Sequence, residues 1–146
     1  MDNFTNFEKT WIGKGMQLNS TFSKDTGKIK YNSGSDRLHQ SIYIILSTAK
    51  GERFMIPEFG SNLHKRIFEP NDFVLRDLII LDVKEALGIW EPRIELLAVD
   101  VLSKKQGNTL PVSIRYRVKQ TNMIDNYVYP FKLSGRALGG EEDYYE

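Results

Sequence analysis

A chain of 146 residues with a net charge of +1 is long enough to bury one core, and it carries no one-signed field to draw it to nucleic acid or an anionic membrane. Cysteine is absent, which excludes disulfides, thiol catalysis and thiolate metal sites. The longest apolar stretch, residues 42–46, is too short to span a bilayer, and Met1-Asp2-Asn3-Phe4 lacks the basic region and apolar run of a signal peptide.

Residues 1–14 are polar with scattered aromatics (Phe4, Phe7, Trp11) and read as a loosely ordered arm. Alternation over residues 16–22 and 28–31, on either side of Asp25-Thr26-Gly27, predicts a small hairpin whose glycine supplies the positive φ of the turn. Residues 32–36 form a loop ending in helix-capping residues. Leu38, Ile42, Ile45, Leu46 and Ala49 fall at helical spacing, so a first helix is expected over about 37–49, stopped by Gly51. Residues 53–56 look extended up to Pro57, residues 57–62 form a loop, and 63–68 make a short helical turn before Pro70. Asn71-Asp72 caps a second helix over about 73–87. Leu75, Leu78, Ile79, Val83, Ala86 and Leu87 form its apolar stripe, broken at Asp82 and ended by Gly88.

From Ile94 the period changes to two. Strands are expected over residues 95–102, 110–119 and 127–133, with a turn over 103–109. Val112, Ile114, Tyr116 and Val118 face one way; Ser113, Arg115, Arg117 and Lys119 face the other. This predicts an antiparallel meander with one covered and one wet face. The expected fold is α+β in a single domain: a sheet of about three to five strands with two main helices on one face. The chain divides into an arm and hairpin (1–34), the main domain (35–135) and an acidic tail (136–146) that includes Tyr144 and Tyr145.

Catalytic constellations are sparse. His39 lies on the first helix, where a core-edge or surface position is the default, and His64 sits beside Lys65 and Arg66, which disfavour its charged form. Neither has a nucleophile or acidic cluster beside it, so no metal or cofactor site is expected. Glu52, Glu58, Glu69 and Asp72 supply carboxylates of the kind a glycosidase uses, but sequence spacing does not set the required separation. Gly13-Lys14-Gly15 lacks the longer phosphate-cradling pattern. The basic residues Arg115, Arg117 and Lys119 read as a solvated sheet face guarded against edge pairing, not a phosphate track.

Glu91-Pro92-Arg93 stands at the helix-to-strand junction. Proline cannot continue the helix and restricts the residue before it, so the tripeptide is a stiff corner carrying one acid and one base. The pair can be a local salt bridge that locks the turn, or a fixed docking point for a partner.

Gly51-Glu52-Arg53 leads through Pro57-Glu58-Phe59-Gly60 and Leu63 to Ile67-Phe68-Glu69-Pro70, and a helix then precedes Trp90-Glu91-Pro92-Arg93-Ile94. In order and spacing this resembles the baseplate-wedge, sheath-initiator family of contractile phage tails, over about residues 37–133. Related subunits occur in contractile bacteriocins and in the type VI secretion baseplate. The resemblance implies a structural virion protein, assembled in the host cytoplasm, with no cofactor and no catalytic residue. Its fold would be similar to the sheath domain that receives strands from neighbouring subunits. The implied partners are other baseplate wedge proteins, the first-ring sheath protein and tube-initiator proteins, with no nucleic acid or membrane.

Carried over, Glu91, Pro92 and Arg93 would dock on the helical bundle of the wedge core. Arg93 would grip a carboxylate or helix carbonyls with its planar fork, while Glu91 would accept from a partner. On that reading Arg93→Ala folds normally but fails to join the wedge. The strand 127–133, with Tyr127, Val128, Tyr129 and Phe131, is the candidate edge for sheath strand addition, and Pro130 fits an edge position. Arg53, Phe59, Gly60 and Phe68 are assigned to the scaffold, with both phenylalanines in the core. Some relatives bear a lysozyme-like label, so a peptidoglycan-cleaving enzyme using Glu58 or Glu69 is the alternative activity. Trp11 and Tyr144 are candidate anchors in the termini.

Overall fold

The computed structural model of the chain describes residues 12–18, 22–23, 26–102 and 108–134. The expected arm with Phe4, Phe7 and Trp11, the tail with Tyr144, and most of the turn over 103–109 lie outside these residues. The fold is α+β. Strands β1 (Lys14–Met16) and β2 (Tyr31–Ser33) form a hairpin, followed by helices α1 (Ser35–Ser47) and α2 (Phe73–Trp90). Strands β3 (Ile94–Val101), β4 (Thr109–Val118) and β5 (Ile124–Lys132) then form an antiparallel sheet in the order β3-β4-β5.

The expected hairpin is present. Gly27 has φ 63° and its N–H donates to Ser23 O, while Phe22 bridges Ile29. The regular ladder lies nearer the N-terminus than periodicity placed it, pairing Lys14 with Ser33 and Met16 with Tyr31. Asn32 and Ser33 are therefore strand, not loop. They are held there because Gln40 of α1 accepts from Asn32 and donates to Met16 O.

In α1, Leu38, Ile42, Ile45 and Leu46 are buried as the spacing required. The helix begins earlier than expected, at Ser35, and stops before Ala49. Thr48 turns extended, and its hydroxyl and N–H both donate to Ile44 O. His64 closes the same end, with its Nε2 2.8 Å from Ser47 O; a carbonyl only accepts, so that ring nitrogen carries the proton. Residues 53–56 are turns rather than strand. Gly51 N–H donates to Pro57 O, closing a loop that leaves Phe54 and Met55 exposed, with Met55 at φ 68°. The loop returns to α1 through a parallel bridge between Ala49 and Ser61, and Ser61 Oγ donates to Leu46 O.

A short 3-10 turn, Leu63–Arg66, buries Leu63. Phe68 is 80% exposed and is not a core residue, while Phe59 packs against the core. Asp72 caps α2 by accepting from Leu75 N–H. The helix runs through Gly88 to Trp90. A methyl at Gly88 would meet nothing, and Glu91 N–H still donates to Leu87 O, so the glycine is an interior residue and Pro92 sets the end.

Asp82, the break in the apolar stripe, is buried and takes Arg66 Nε at 3.1 Å; Arg66 also donates to Glu69. Hydrogen bonding to Glu69 and then Asp82 raises the Arg66 pKa. Asp82→Ala should cost about 1–2 kcal/mol, because Arg66 keeps Glu69 and some water. Adding Arg66→Met should recover most of that loss, as measured by urea denaturation of the double-mutant cycle.

The alternation in β4 holds in full: Val112, Ile114, Tyr116 and Val118 are buried in one core with the inner faces of both helices. Each such side chain taken from water contributes about 1.5–3 kcal/mol. β3 carries a bulge between Leu96 and Ala98. Along β5 the register with β4 runs from Ile124 opposite Arg117 to Lys132 opposite Thr109. Val118 N–H donates to Met123 O and Leu133 N–H to Asn108 O. Odd-numbered residues of β5 therefore turn their backbone groups toward β4. Ile124, Asn126, Val128, Pro130 and Lys132 turn theirs outward. Pro130 faces Pro111 in a non-hydrogen-bonded pair, so neither proline removes a bond between these strands.

Candidate functional site

Trp90 ends α2 and Ile94 begins β3, so Glu91-Pro92-Arg93 is the whole connection between helix and sheet. Glu91 is 2% exposed, although it is a carboxylate in a turn. It is buried because its oxygens are all spoken for. Arg93 donates through Nε to Oε1 at 2.6 Å and through Nη2 to Oε2 at 2.7 Å, a bidentate fork. Ser41 Oγ, from α1, also donates to Oε2. The remaining Arg93 nitrogen, Nη1, donates to Ile12 O at 2.9 Å, and Ile12 is itself in the core.

Four parts of the chain meet at this pair: the segment before β1, α1, the end of α2 and the start of β3. Burial pushes the Glu91 carboxyl up, but the bonds from Arg93 and Ser41 and the Arg93 charge outweigh it and hold the group below the usual carboxylate range. Hydrogen bonding to Glu91 raises Arg93 in turn.

Both sequence readings of the corner bear on this geometry. The local salt bridge exists, and Glu91 faces inward, so the outward-facing acceptor expected at Glu91 is not what the fold holds. Pro92 is exposed and about a third of the Arg93 side chain remains at the surface. Arg93 is also structural, which changes the expectation that Arg93→Ala folds normally.

The other motif elements gather behind the corner. Arg53 stacks 4.5 Å over the Phe59 ring, and Phe59 packs edge-on against Trp90 with centroids 5.2 Å apart. Lys50, from the same loop, pairs with Glu85 of α2 at 2.9 Å. Of the carboxylates considered for glycoside cleavage, Glu52 accepts from Ala49 N–H, Glu69 from Arg66 and Asp72 from Leu75 N–H. Glu58 lines an open groove with Lys50, Glu85 and Trp90.

The second predicted site is the β5 edge. Tyr127, Tyr129 and Phe131 face the helices, while Val128 points to the open face. Tyr127 stacks on His39 at 5.1 Å and Tyr129 lies 6.1 Å from Tyr43, both on α1. Burial pushes Tyr129 up to about 12 and Tyr127 up as well. His39 and Tyr116 both reach Asp125 Oδ2 at 3.1 Å. Burial pushes Asp125 up, but bonds from Asn126, Tyr116 and Ser35 and the His39 charge prevail and hold it below its usual value. Sequence reasoning missed this cluster because His39 and Asp125 are 86 residues apart. The two predicted sites remain separate: no hydrogen bond or ion pair joins the corner to β5 among the described residues, although both rest on α1. Among those residues no group of acids and histidines could hold a metal ion, and no helix is long and apolar enough to cross a membrane.

The corner salt bridge joins α1, α2 and the sheet and is backed by a loop stacked on Trp90; comparison with known proteins places a chain of this build in the contractile-tail baseplate class. The family model for baseplate wedge protein gp25 matches residues 32–123, and the chain belongs to that family. It is 31% identical over 121 residues to baseplate wedge protein gp25 of Enterobacteria phage T4, covering 83% of this chain and 86% of that protein. Among solved structures, a Geobacter sulfurreducens protein named as a candidate tail lysozyme is 40% identical with a TM-score of 0.65, covering 84% of this chain and all of that one. A chain of the anti-feeding prophage baseplate is 22% identical with a TM-score of 0.62, covering 90% and 94%, and shares the fold.

Proposed function

We propose that this baseplate subunit docks on the helical core of the wedge through Pro92 and the outer side of Arg93, and starts the sheath by accepting a strand on β5. Its role is structural, within the tail baseplate of a phage or phage-like particle assembled in the host cytoplasm. The other partners are the first sheath ring and the tube initiator.

One observation carries this reading: a proline and part of a guanidinium are held at the surface by a carboxylate that the protein interior fixes in place. A partner meeting this corner finds it already ordered, so docking spends little on freezing it. Arg93 offers that partner a planar donor whose charge is held on by Glu91. For β5, support comes from the outward backbone of Val128, which pairs with no strand among the described residues.

Two variants of the full chain separate the two contacts. Pro92→Asp should leave the Glu91–Arg93 fork in place and lower stability by no more than about 1 kcal/mol, while weakening co-assembly with purified wedge proteins at least about tenfold. Wedge assembly at parental affinity would sink the docking role. Val128→Pro removes an outward N–H without touching the ladder to β4. It should join the wedge but fail to seed sheath polymerisation from purified sheath protein; seeding at the parental rate would remove β5 from the mechanism. A second reading, cell-wall cleavage, draws on the name of the Geobacter protein. Peptidoglycan release abolished by Glu58→Gln would establish it.

A further inference from the structure

We propose that the β5 edge takes an antiparallel strand anchored at Val128, and that two side-chain sockets flanking Tyr43 set its register. This rests on the strand-accepting role above and adds the register and the side-chain pattern of the incoming segment.

The anchor point follows from missing donors. Five residues of β5 turn their backbone outward, but two offer no open N–H. Pro130 has none, and the Asn126 N–H donates to Asp125 Oδ1 at 2.8 Å. Asp125 is itself held in place by Tyr116 and His39. Between these two positions Val128 alone presents both an N–H and a C=O. An antiparallel strand exchanges a pair of hydrogen bonds at every second residue, and between Asn126 and Pro130 only the residue opposite Val128 can make both. The residues two positions either side still donate to the carbonyls of Asn126 and Pro130. A strand shifted by two still places a residue opposite Val128, so the backbone fixes which incoming residues face this edge and the side chains fix the register. Antiparallel pairing continues the pattern of the existing sheet.

The sockets follow from the same parity. Residues of the incoming strand on either side of the central one lie opposite Tyr127 and Tyr129, and their side chains point to the helix-covered side. Two grooves open there. One, of about 390 Å³, is lined by Leu18, His39, Tyr43 and Tyr127 together with Gln17, Asn32 and Gln40, the last two bonded to each other. The other, of about 420 Å³, is lined by Tyr43, His64, Ile67, Tyr129 and Phe131. Tyr43 is shared by both and divides them. The matching segment therefore carries apolar side chains two residues apart, with a polar residue between them facing the open side near Val128.

The probe is a synthetic seven-residue peptide, Lys-Thr-Val-Ser-Val-Thr-Lys, capped at both ends and added to the full-length protein. The readout is amide hydrogen exchange by NMR. The Val128 amide should slow at least about tenfold, while Tyr127 and Tyr129, already turned to β4, should not change. Methylating the backbone nitrogen of the central Ser should abolish that protection; methylating either Val should not. Moving the two Val residues one place along should weaken binding more than about tenfold. Pro130→Ala adds an outward donor and should tighten binding about fivefold. Equal binding of the shifted peptide, or no gain with Pro130→Ala, overturns the register and sockets. Protection of Val99 and Val101 on the β3 edge instead would also overturn them, while leaving strand acceptance standing. No protection at either edge with peptide at about millimolar concentration overturns both.

Discussion

Replacing Arg93 with alanine lowers stability by about 3 kcal/mol and alters the response to acid, because it leaves the buried Glu91 carboxylate without its cation. In the parent, the bonds from Arg93 and Ser41 hold Glu91 below its ordinary value of 4.5. The pair's contribution is therefore fully present above that value and is lost as pH falls through it toward the lower folded value. In the variant only Ser41 remains, burial dominates, and the carboxyl moves above its ordinary value. A carboxyl raised in the folded state contributes most when protonated, so that contribution is lost as pH rises. The stability gap between parent and variant should thus be widest at about pH 7 and shrink by at least about half toward pH 4. Urea midpoints across this range measure it, and Asp125, depressed in both proteins, cancels from the difference. Arg93→Lys should restore only part of the loss, since an ammonium does not reproduce the fork to both oxygens. Parallel pH profiles for parent and Arg93→Ala would show that the fork is not what holds the corner.

Gly60→Ala should be comparably severe. Gly60 has φ 111°, a backbone conformation that side chains rarely adopt, and a methyl there would lie 2.3 Å from Thr48 O. The obstacle is backbone and has little room to give, because Ser61 N–H donates to that same Thr48 carbonyl. Strain and clash together should cost about 3 kcal/mol or more, which places the change among the largest single-residue effects. Guanidinium denaturation gives the magnitude. The damage should extend to the stack of Arg53, Phe59 and Trp90, since the loop returns to α1 at this glycine; fluorescence of the tryptophans offers a local readout. A loss under about 1 kcal/mol would mean that the loop reaches α1 by another path.

What sequence could disclose depended on the range of the forces involved. The inner stripes of α1 and α2 and the alternation of β4 were legible because burial repeats at the period of the element. Asp72 was legible as a cap because its partner, Leu75 N–H, is three residues away. Gly88 misled because a glycine stops a helix only if something replaces the next hydrogen bond, and here the ladder continues to Glu91. Phe68 was placed in the core on its residue type, yet it is exposed while its neighbour Ile67 packs inward. The corner was legible as a rigid charge pair. Its burial was not, because Ser41 and Ile12 lie far from it in the chain and only the fold brings them to the carboxylate. Asp82 looked like a flaw in a stripe for the same reason. The β5 edge was legible as an edge from Pro130, but its outward parity required the register with β4.

If the corner docks as proposed, its wiring also bears on quality control during construction of the particle. Pro92 is aimed correctly only when the N-terminal segment, both helices and the sheet have all reached their final places, because Glu91 and Arg93 draw a bond from each. A misfolded or half-folded copy would offer a floppy hook rather than a set one, and would pay the full ordering penalty on contact. On the docking role proposed above, recruitment to the growing structure would thereby test completed folding, and defective copies would be left behind before they could template a faulty ring.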